Sequence, residues 1–253
     1  MKEIMTTLVS ASLLLFSCSK QKDLPSDGNT GTSAKKLVQS TINNLNALYY
    51  NPDGTIKQID RTISSEIYSK HFTYSNSKVS YIGYLKTIKA ETGEYSLVNG
   101  KIVAFDWITH DAFGLPITSY HETFTYNSRG LLDKHMFDNG NYAVLEYDEK
   151  DNLVKSTYFE SGQASKITEY TYTSIPDKFH WFGFFDCYGE GFFKPAYAKF
   201  LPASEKITKL STGEVTYFVT FTYELDSQGY MVKASADQHI AGYPSYQWTN
   251  VFQ

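Results

Sequence analysis

Cysteine is scarce in this 253-residue sequence, which contains only Cys18 and Cys187. If the Cys18 thiol is covalently modified, Cys187 has no second cysteine in the chain with which to form a disulfide. The fold must then be held by packing and hydrogen bonds. Cys187 lies among Phe184, Phe185 and Tyr188. Such apolar surroundings favour a buried, inert thiol over a reactive nucleophile.

Charge is low and nearly balanced, because charged residues make up 20 % of the chain and the formal net charge is −4. No basic stripe accumulates along the sequence, so a nucleic acid is not expected as a partner. The 42 % of hydrophobic residues distinguishes the composition from that of a disordered chain. The length allows one large β domain or two small ones, and a domain of about this size buries roughly 70–75 % of its unfolded surface.

Signatures of metal binding and catalysis are missing as well. The chain has no Gly-x-Ser-x-Gly elbow, phosphate-binding loop or Rossmann glycine cluster. The histidines show no metal-ligand spacing, and in His110-Asp111 and His121-Glu122 the neighbours would point to opposite faces of a strand. No metal and no cofactor are therefore predicted. The six scattered histidines are His71, His110, His121, His135, His180 and His239.

Carboxylates are spread along the chain rather than clustered. Glu146, Glu160, Glu169 and Asp186 are the candidates for an acid and base that pair across neighbouring strands. The separation that such chemistry requires is not encoded in sequence spacing, so these residues support a hydrolase only as an alternative hypothesis.

The N-terminal residues resemble a lipoprotein signal peptide. Lys2 supplies a positive start, and residues 4–16 are mostly apolar or small, too short a stretch to span a bilayer but long enough for a signal h-region. The stretch ends in Leu15-Phe16-Ser17-Cys18, which is similar to a lipobox although Phe16 replaces the usual small residue. Residues 1–17 are therefore predicted to be a signal peptide and Cys18 the lipidated residue. An ordinary secretory signal with a chance cysteine is the alternative.

A polar segment follows Cys18. Among residues 19–33, only Leu24 and Pro25 are neither polar nor glycine, so residues 18–36 are predicted to form a flexible tether. Ser19 stands where an inner-membrane retention signal would carry Asp, which favours the outer membrane, at its periplasmic face or at the cell surface. A single β domain is expected over residues 37–253.

A short repeat is the strongest positive signal in the chain. Its copies begin at Tyr50, Tyr126, Tyr147 and Tyr223, and each continues into polar residues, a Gly or Asp, and an apolar strand start. Polar residues with Gly or Asp accommodate the positive φ that a tight antiparallel turn requires. The 21 Tyr and 17 Phe also favour strands over helices. Each copy therefore predicts a β-hairpin.

Regularly spaced turn signals between residues 120 and 173 predict a four-strand meander. Its turns are expected at residues 127–130, 138–140, 148–152 and 160–162. The apolar residues within 37–49 are compatible with one face of a helix. The segment continues directly into the predicted turn at Tyr50, however, and this favours a strand. Looser turn candidates are residues 75–78, 91–93, 99–100, 211–213 and 226–229.

The repeat resembles the tyrosine-aspartate hairpin repeat (YD or Rhs-type), most clearly at Tyr147-Asp148 with Leu153. Over roughly residues 37–253 the chain also resembles a family of uncharacterised Bacteroidetes lipoproteins. Their members combine a lipobox, degenerate hairpins and an aromatic insertion that ends in Leu-Pro, here Leu201-Pro202. The resemblance implies an all-β fold, an antiparallel meander of repeated hairpins curled into an open barrel or half-barrel, and supplies no activity.

Aromatic residues are concentrated in residues 181–200, which overlap that insertion at residues 191–200. Fully burying each would contribute about 1.5–3 kcal/mol, so exposing them all is costly. A cap on one face of the curled sheet is therefore favoured over an aromatic platform for a sugar or an acyl chain. The candidate residues for either role are Trp181, Phe184, Phe185, Tyr188, Phe192, Phe193 and Tyr197.

These features predict a cell-envelope lipoprotein that acts as a non-catalytic binding or scaffolding module. The expected partners are the membrane, through the lipid on Cys18, and a glycan, a peptide or an envelope protein on the tyrosine-rich sheet. A protein partner would have the further option of adding a strand at an unclosed edge. A glycan-acting hydrolase that uses paired carboxylates is the alternative.

Overall fold

The computed structural model describes residues 36–41, 45–63, 65–178, 198–240 and 244–252. These residues contain no helix, and hence none long and apolar enough to cross a bilayer. They form sixteen β-strands: β1 (Leu37–Ser40), β2 (Leu45–Tyr50), β3 (Ile56–Ile63), β4 (Glu66–Tyr74), β5 (Lys78–Leu85), β6 (Ile88–Val98), β7 (Lys101–His110), β8 (Pro116–Tyr126), β9 (Leu132–Met136), β10 (Tyr142–Tyr147), β11 (Leu153–Glu160), β12 (Gln163–Pro176), β13 (Phe200–Lys209), β14 (Glu214–Leu225), β15 (Met231–Gln238) and β16 (Tyr246–Phe252).

All sixteen strands belong to one antiparallel sheet. From β2 to β16 each strand pairs with its neighbours in sequence, whereas β1 pairs with β16. The sheet curls into a nearly closed barrel with one unsealed seam, between β1 and β2. The predicted all-β meander of hairpins is confirmed, and the barrel remains open along that seam. The predicted cap lies outside the described residues.

One turn geometry recurs in the hairpins. The N–H of its first residue donates to the carbonyl four positions later, and the N–H of the fourth residue donates back to the first carbonyl. The fourth residue has a positive φ, as at Gly130 (80°) and Asp151 (65°), which is a type I turn with a G1 bulge. The side chain of Asp148 adds hydrogen bonds from the N–H groups of Lys150 and Asn152. The first residues of these turns are Asn51, Asp111, Asn127, Phe137, Asp148 and Asp226.

Tyrosines near the ends of even-numbered strands form a second repeated contact. Each donates its hydroxyl to a carbonyl near the start of the preceding strand, over 2.6–2.8 Å. Burial raises the pKa of Tyr126 to about 12, so the phenol remains a donor at neutral pH. The Tyr50 bond joins β2 to β1 across the seam, where ladder hydrogen bonds are lacking. The donor and acceptor pairs are Tyr50–Leu37, Tyr74–Ile56, Tyr126–Ile102, Tyr172–Leu153 and Tyr223–Pro202.

These tyrosines define the two ends of the barrel. Connections from an even-numbered to an odd-numbered strand lie at the end with the tyrosines, which we call the tyrosine end. The odd-to-even connections lie at the opposite end, which we call the far end. The chain between β12 and β13 leaves and re-enters the sheet at the tyrosine end.

The strand interpretation of residues 37–49 is confirmed where the chain is described, because β1 and β2 lie there, on opposite sides of the seam. One turn prediction is wrong. Residues 91–93 were expected to form a turn, but they lie inside β6, and the turn before that strand is at residues 86–87. Gly93 serves packing instead, because a Cβ at this position would lie 2.2 Å from Cε1 of Tyr81.

Candidate ligand-binding cavity

The barrel interior differs between its two halves, and the half formed by β3–β8 is filled by large side chains. Tyr81, Tyr95 and Phe105 are almost fully buried. The rings of Tyr95 and Phe105 stack with centroids 4.4 Å apart, and Tyr81 packs on Phe72 at 5.6 Å. Aromatic pairs of this kind contribute about 0.5–1.5 kcal/mol beyond their buried area. We call this part of the barrel the filled half.

A buried ion pair completes the filled half. Lys70 Nζ lies 2.7 Å from Glu91 Oε1, and the two side chains are 4 % and 14 % exposed. Trp107 Nε1 donates to the other carboxylate oxygen at 2.9 Å, and the hydroxyl of Tyr68 donates to Oε1. Lys70 also lies over the Tyr81 ring, 4.2 Å from its centroid. Both charges are compensated within the protein, which is the arrangement of a structural cluster rather than of a free binding group.

The half formed by β9–β16 instead contains a cavity of about 440 Å³. We call this part the cavity half. Its lining extends from Leu153 and Pro202 near the tyrosine end to Phe137 and Lys166 at the far end. A pocket of this size that is rich in aromatic rings is typical of ligand sites. The aromatic residues of the lining are Phe137, Tyr158, Tyr170, Tyr217, Phe221 and Tyr246. The other lining residues are His135, Ala143, Leu145, Leu153, Ser156, Lys166, Thr168, Pro202, Glu205 and Ile207.

His135 is held firmly in the cavity wall. Its Nε2 lies 2.8 Å from Glu122 Oε2, and the imidazole is almost buried. The ring stacks on Phe124, with centroids 4.6 Å apart and planes 23° apart, and contacts Phe137 at 4.2 Å. Because three neighbours fix the ring, His135 presents a preorganised surface to any molecule that enters the cavity.

Polar groups are also among the residues that line the cavity. Burial raises the pKa of Tyr246 well above its usual range, and a hydrogen bond with Tyr217 raises it further. The Tyr246 hydroxyl is therefore neutral at physiological pH. The ammonium group of Lys166 lies 4.7 Å from the centroid of the Tyr158 ring, and Lys166 is exposed. The cavity thus combines aromatic faces with a few polar contacts.

Several predicted site residues lie outside the described part of the chain, so the structure gives no geometry for them. They are Cys18, Trp181, Phe184, Phe185, Asp186, Tyr188, Phe192, Phe193 and Tyr197.

Two of the other predicted carboxylates, Glu146 and Glu169, lie on the outer face of the barrel. Glu146 is directly opposite Lys155, Lys155 is opposite Glu169, and Glu169 is opposite Lys206. The ion-pair distances are 2.7 Å for Glu146–Lys155 and 2.6 Å for Glu169–Lys206. Glu160 is exposed at the end of β11. The structure therefore brings Glu146 and Glu169 into an exposed ladder of alternating charge, in which each carboxylate is bonded to a lysine.

The pairing of His135 with Glu122 was not predicted from the sequence. Sequence reasoning did predict that His121 and Glu122 point to opposite faces, and they do: His121 Nδ1 lies 2.7 Å from Asp106 on the exposed side, whereas Glu122 reaches His135. The partner of Glu122 depends on the register between β8 and β9, in which Phe124 is opposite His135. That register is a property of the folded sheet.

No protein-family model matches the chain, and no curated protein matches it. Among solved structures, the barrel is similar to a porin-like protein from Bacteroides uniformis, with a TM-score of 0.54 and 18 % identity over 81 % of this chain and 89 % of that chain. A porin-like protein from Bacteroides vulgatus gives a TM-score of 0.41 and 13 % identity over 82 % and 92 %. A TcdB2–TccC3 structure gives 0.27 and 13 % identity over 79 % of this chain and 11 % of that chain. The first similarity shows a shared fold.

Proposed function

We propose that this chain is a non-catalytic binding module of the bacterial cell envelope, and that the cavity is its ligand site. The observation that carries the proposal is the contrast within one barrel. Six aromatic rings surround about 440 Å³ in the cavity half, whereas stacked rings fill the other half. Aromatic faces with a few hydroxyl groups offer a broad contact surface at small entropy cost. The sugar rings of a glycan or the side chains of a peptide match such a lining.

The two faces of the sheet support binding rather than conduction. The inward side chains of the barrel are mainly apolar, among them Leu132, Leu145 and Val219. The outer face carries the ladder from Glu146 to Lys206. A membrane pore has the reverse arrangement, with an apolar band outside and a polar lumen inside. The similarity to a porin-like protein therefore supports a shared barrel architecture and not a shared pore.

The proposed location in the cell envelope rests on the sequence around Cys18. The barrel's similarity to a Bacteroides porin-like protein adds support. The recurring tyrosine and Asx turns add to the resemblance to YD repeats. We infer an outer-membrane lipoprotein. Metabolic labelling with a fatty acid should mark the wild type, and Cys18→Ala should lose the label. A labelled Cys18→Ala protein would overturn the lipid assignment.

A parallel screen tests the binding function. The full chain is applied to a glycan array and to a peptide library, and hydrolysis is assayed on the same polysaccharides. The proposal predicts binding without turnover. Glu205 is the one carboxylate among the described lining residues, so no described pair favours a hydrolase. Turnover that Glu205→Gln abolishes, and that the outer-face control Glu169→Gln leaves intact, would overturn the proposal.

A further inference from the structure

Strand β8 has a long unpaired edge. Thr123 of β8 lies opposite Met136, the last residue of β9. Residues 116–121 continue beyond that point and, within the described sheet, form ladder pairs only with β7. Residues 116–121 are all exposed. The backbone N–H and C=O groups that point away from β7 over this stretch therefore have no ladder partner in the described sheet.

Most of the β8 edge is also unprotected by its sequence. Edge strands are usually blunted by Lys, Pro or a bulge. Pro116 and a register shift opposite it occupy the start of β8, but residues 117–121 contain no Lys, Arg or Pro. Apolar side chains lie on and beside the edge instead, with Ile117 65 % exposed, Leu115 62 % and Phe113 89 %. The edges of β1 and β2 differ, because they face each other and are joined by the Tyr50 hydrogen bond.

The β8 edge continues into the cavity wall. Glu122, which follows this stretch, is hydrogen-bonded to His135, and Phe137 follows β9 directly. Both His135 and Phe137 line the cavity. A strand added beside β8 would lie end to end with β9, and its side chains would alternate between the outer and inner faces. An inward side chain would then point toward the cavity mouth.

We propose that residues 117–121 are a strand-addition site for an extended peptide segment of a partner protein. A row of backbone donors and acceptors selects a polypeptide, because main-chain hydrogen bonds supply the affinity in this binding mode and side-chain pockets supply the specificity. The segment carries apolar side chains on both of its faces, opposite Ile117 on one face of β8 and Tyr120 on the other. One inward side chain enters the cavity, and this part of the inference rests on the proposed function.

The test uses a display library of random 12-residue peptides, selected on the immobilised full chain. Thr118→Pro and Ser119→Pro are both prepared, because neighbouring residues direct their N–H groups to opposite sides of a strand. The variant whose lost N–H faces away from β7 should keep the fold and bind selected peptides about tenfold more weakly, as expected for lost ladder hydrogen bonds. Ile117→Lys, at an exposed position, is a second variant and should weaken binding in the same direction.

The outcomes separate the edge from the cavity. Ala143→Trp fills the cavity and serves as the comparison. Peptides that lose affinity for the folded proline variant or for Ile117→Lys, but not for Ala143→Trp, support the β8 edge as the binding site. The same result contradicts the cavity as ligand site. Peptides that lose affinity only for Ala143→Trp overturn the edge and retain the cavity. A library without enriched peptides overturns the strand-addition site. Concentration-dependent dimerisation that Ile117→Lys abolishes assigns the edge to a second copy of the chain and also overturns the proposal.

Discussion

The filled half and the cavity half of the barrel are built from the same hairpins, and they differ in the inward residues. Tyr81, Tyr95 and Phe105 meet across neighbouring strands in the filled half, where Gly93 provides space for one ring. Small residues such as Ala143 and Ser156 line the other half, where the aromatic rings surround space. The comparison teaches that the backbone architecture is shared, whereas the sizes of inward side chains decide which half can receive a ligand.

The largest expected effect is truncation in the filled half. Phe105→Ala should lower the free energy of unfolding by about 3–5 kcal/mol, because it opens a void among packed rings. Phe221→Ala in the cavity half should cost less than about 2 kcal/mol, because that ring is only partly buried beside existing space. Urea unfolding of both variants measures the difference, and equal costs would remove the distinction between the halves.

The next effect comes from the buried ion pair. Glu91→Ala should destabilise the protein by about 3 kcal/mol, because it leaves the buried Lys70 ammonium without its carboxylate. Glu146→Ala on the outer face should change stability by less than about 1 kcal/mol, since Glu146 and Lys155 are exposed. Denaturant midpoints of the two variants provide the test. A large loss for Glu146→Ala, or none for Glu91→Ala, would contradict the assigned roles.

A smaller effect distinguishes two tyrosines that lie near the ends of even-numbered strands. Tyr172→Phe should cost about 0.5–1.5 kcal/mol, because it removes the hydrogen bond to the Leu153 carbonyl. The Tyr147 hydroxyl is buried without a hydrogen-bond partner among the described residues, so Tyr147→Phe should be neutral or stabilising. Thermal unfolding compares the variants. If Tyr147→Phe is the more destabilising change, the hydroxyl contacts are misassigned.

The hairpins were predictable from the sequence because their signals are local. Turns such as the one at Asp148 require a side-chain acceptor, a residue with positive φ and a fixed spacing, all within five residues. Residues 91–93 misled the prediction, because the Gly93 that suggested a turn accommodates Tyr81, a residue of the neighbouring strand. Local patterns do not distinguish these two uses of glycine.

The cavity was not predictable in the same way. Its lining spans residues from His135 to Tyr246, and their convergence depends on the register of several strand pairs and on curvature of the sheet. The candidate aromatic residues predicted from the sequence lie within residues 181–197, outside the described chain, and Tyr158, Tyr217 and Phe221 were not among them. Alternating aromatic residues on strands indicate a buried face, but no local signal shows whether the rings meet or leave space.

The most direct test of the central claim, that the cavity is the ligand site, compares two neighbours on β10. Ala143 lines the cavity, whereas Val144 points to the opposite face. Ligands from the glycan and peptide screen are titrated calorimetrically into the wild type, Ala143→Trp and Val144→Trp. The account predicts that Ala143→Trp folds with stability within about 1 kcal/mol of the wild type, since about 440 Å³ accommodates the indole, and that it binds no ligand, while Val144→Trp binds normally. Wild-type affinity in a folded Ala143→Trp protein would contradict the account.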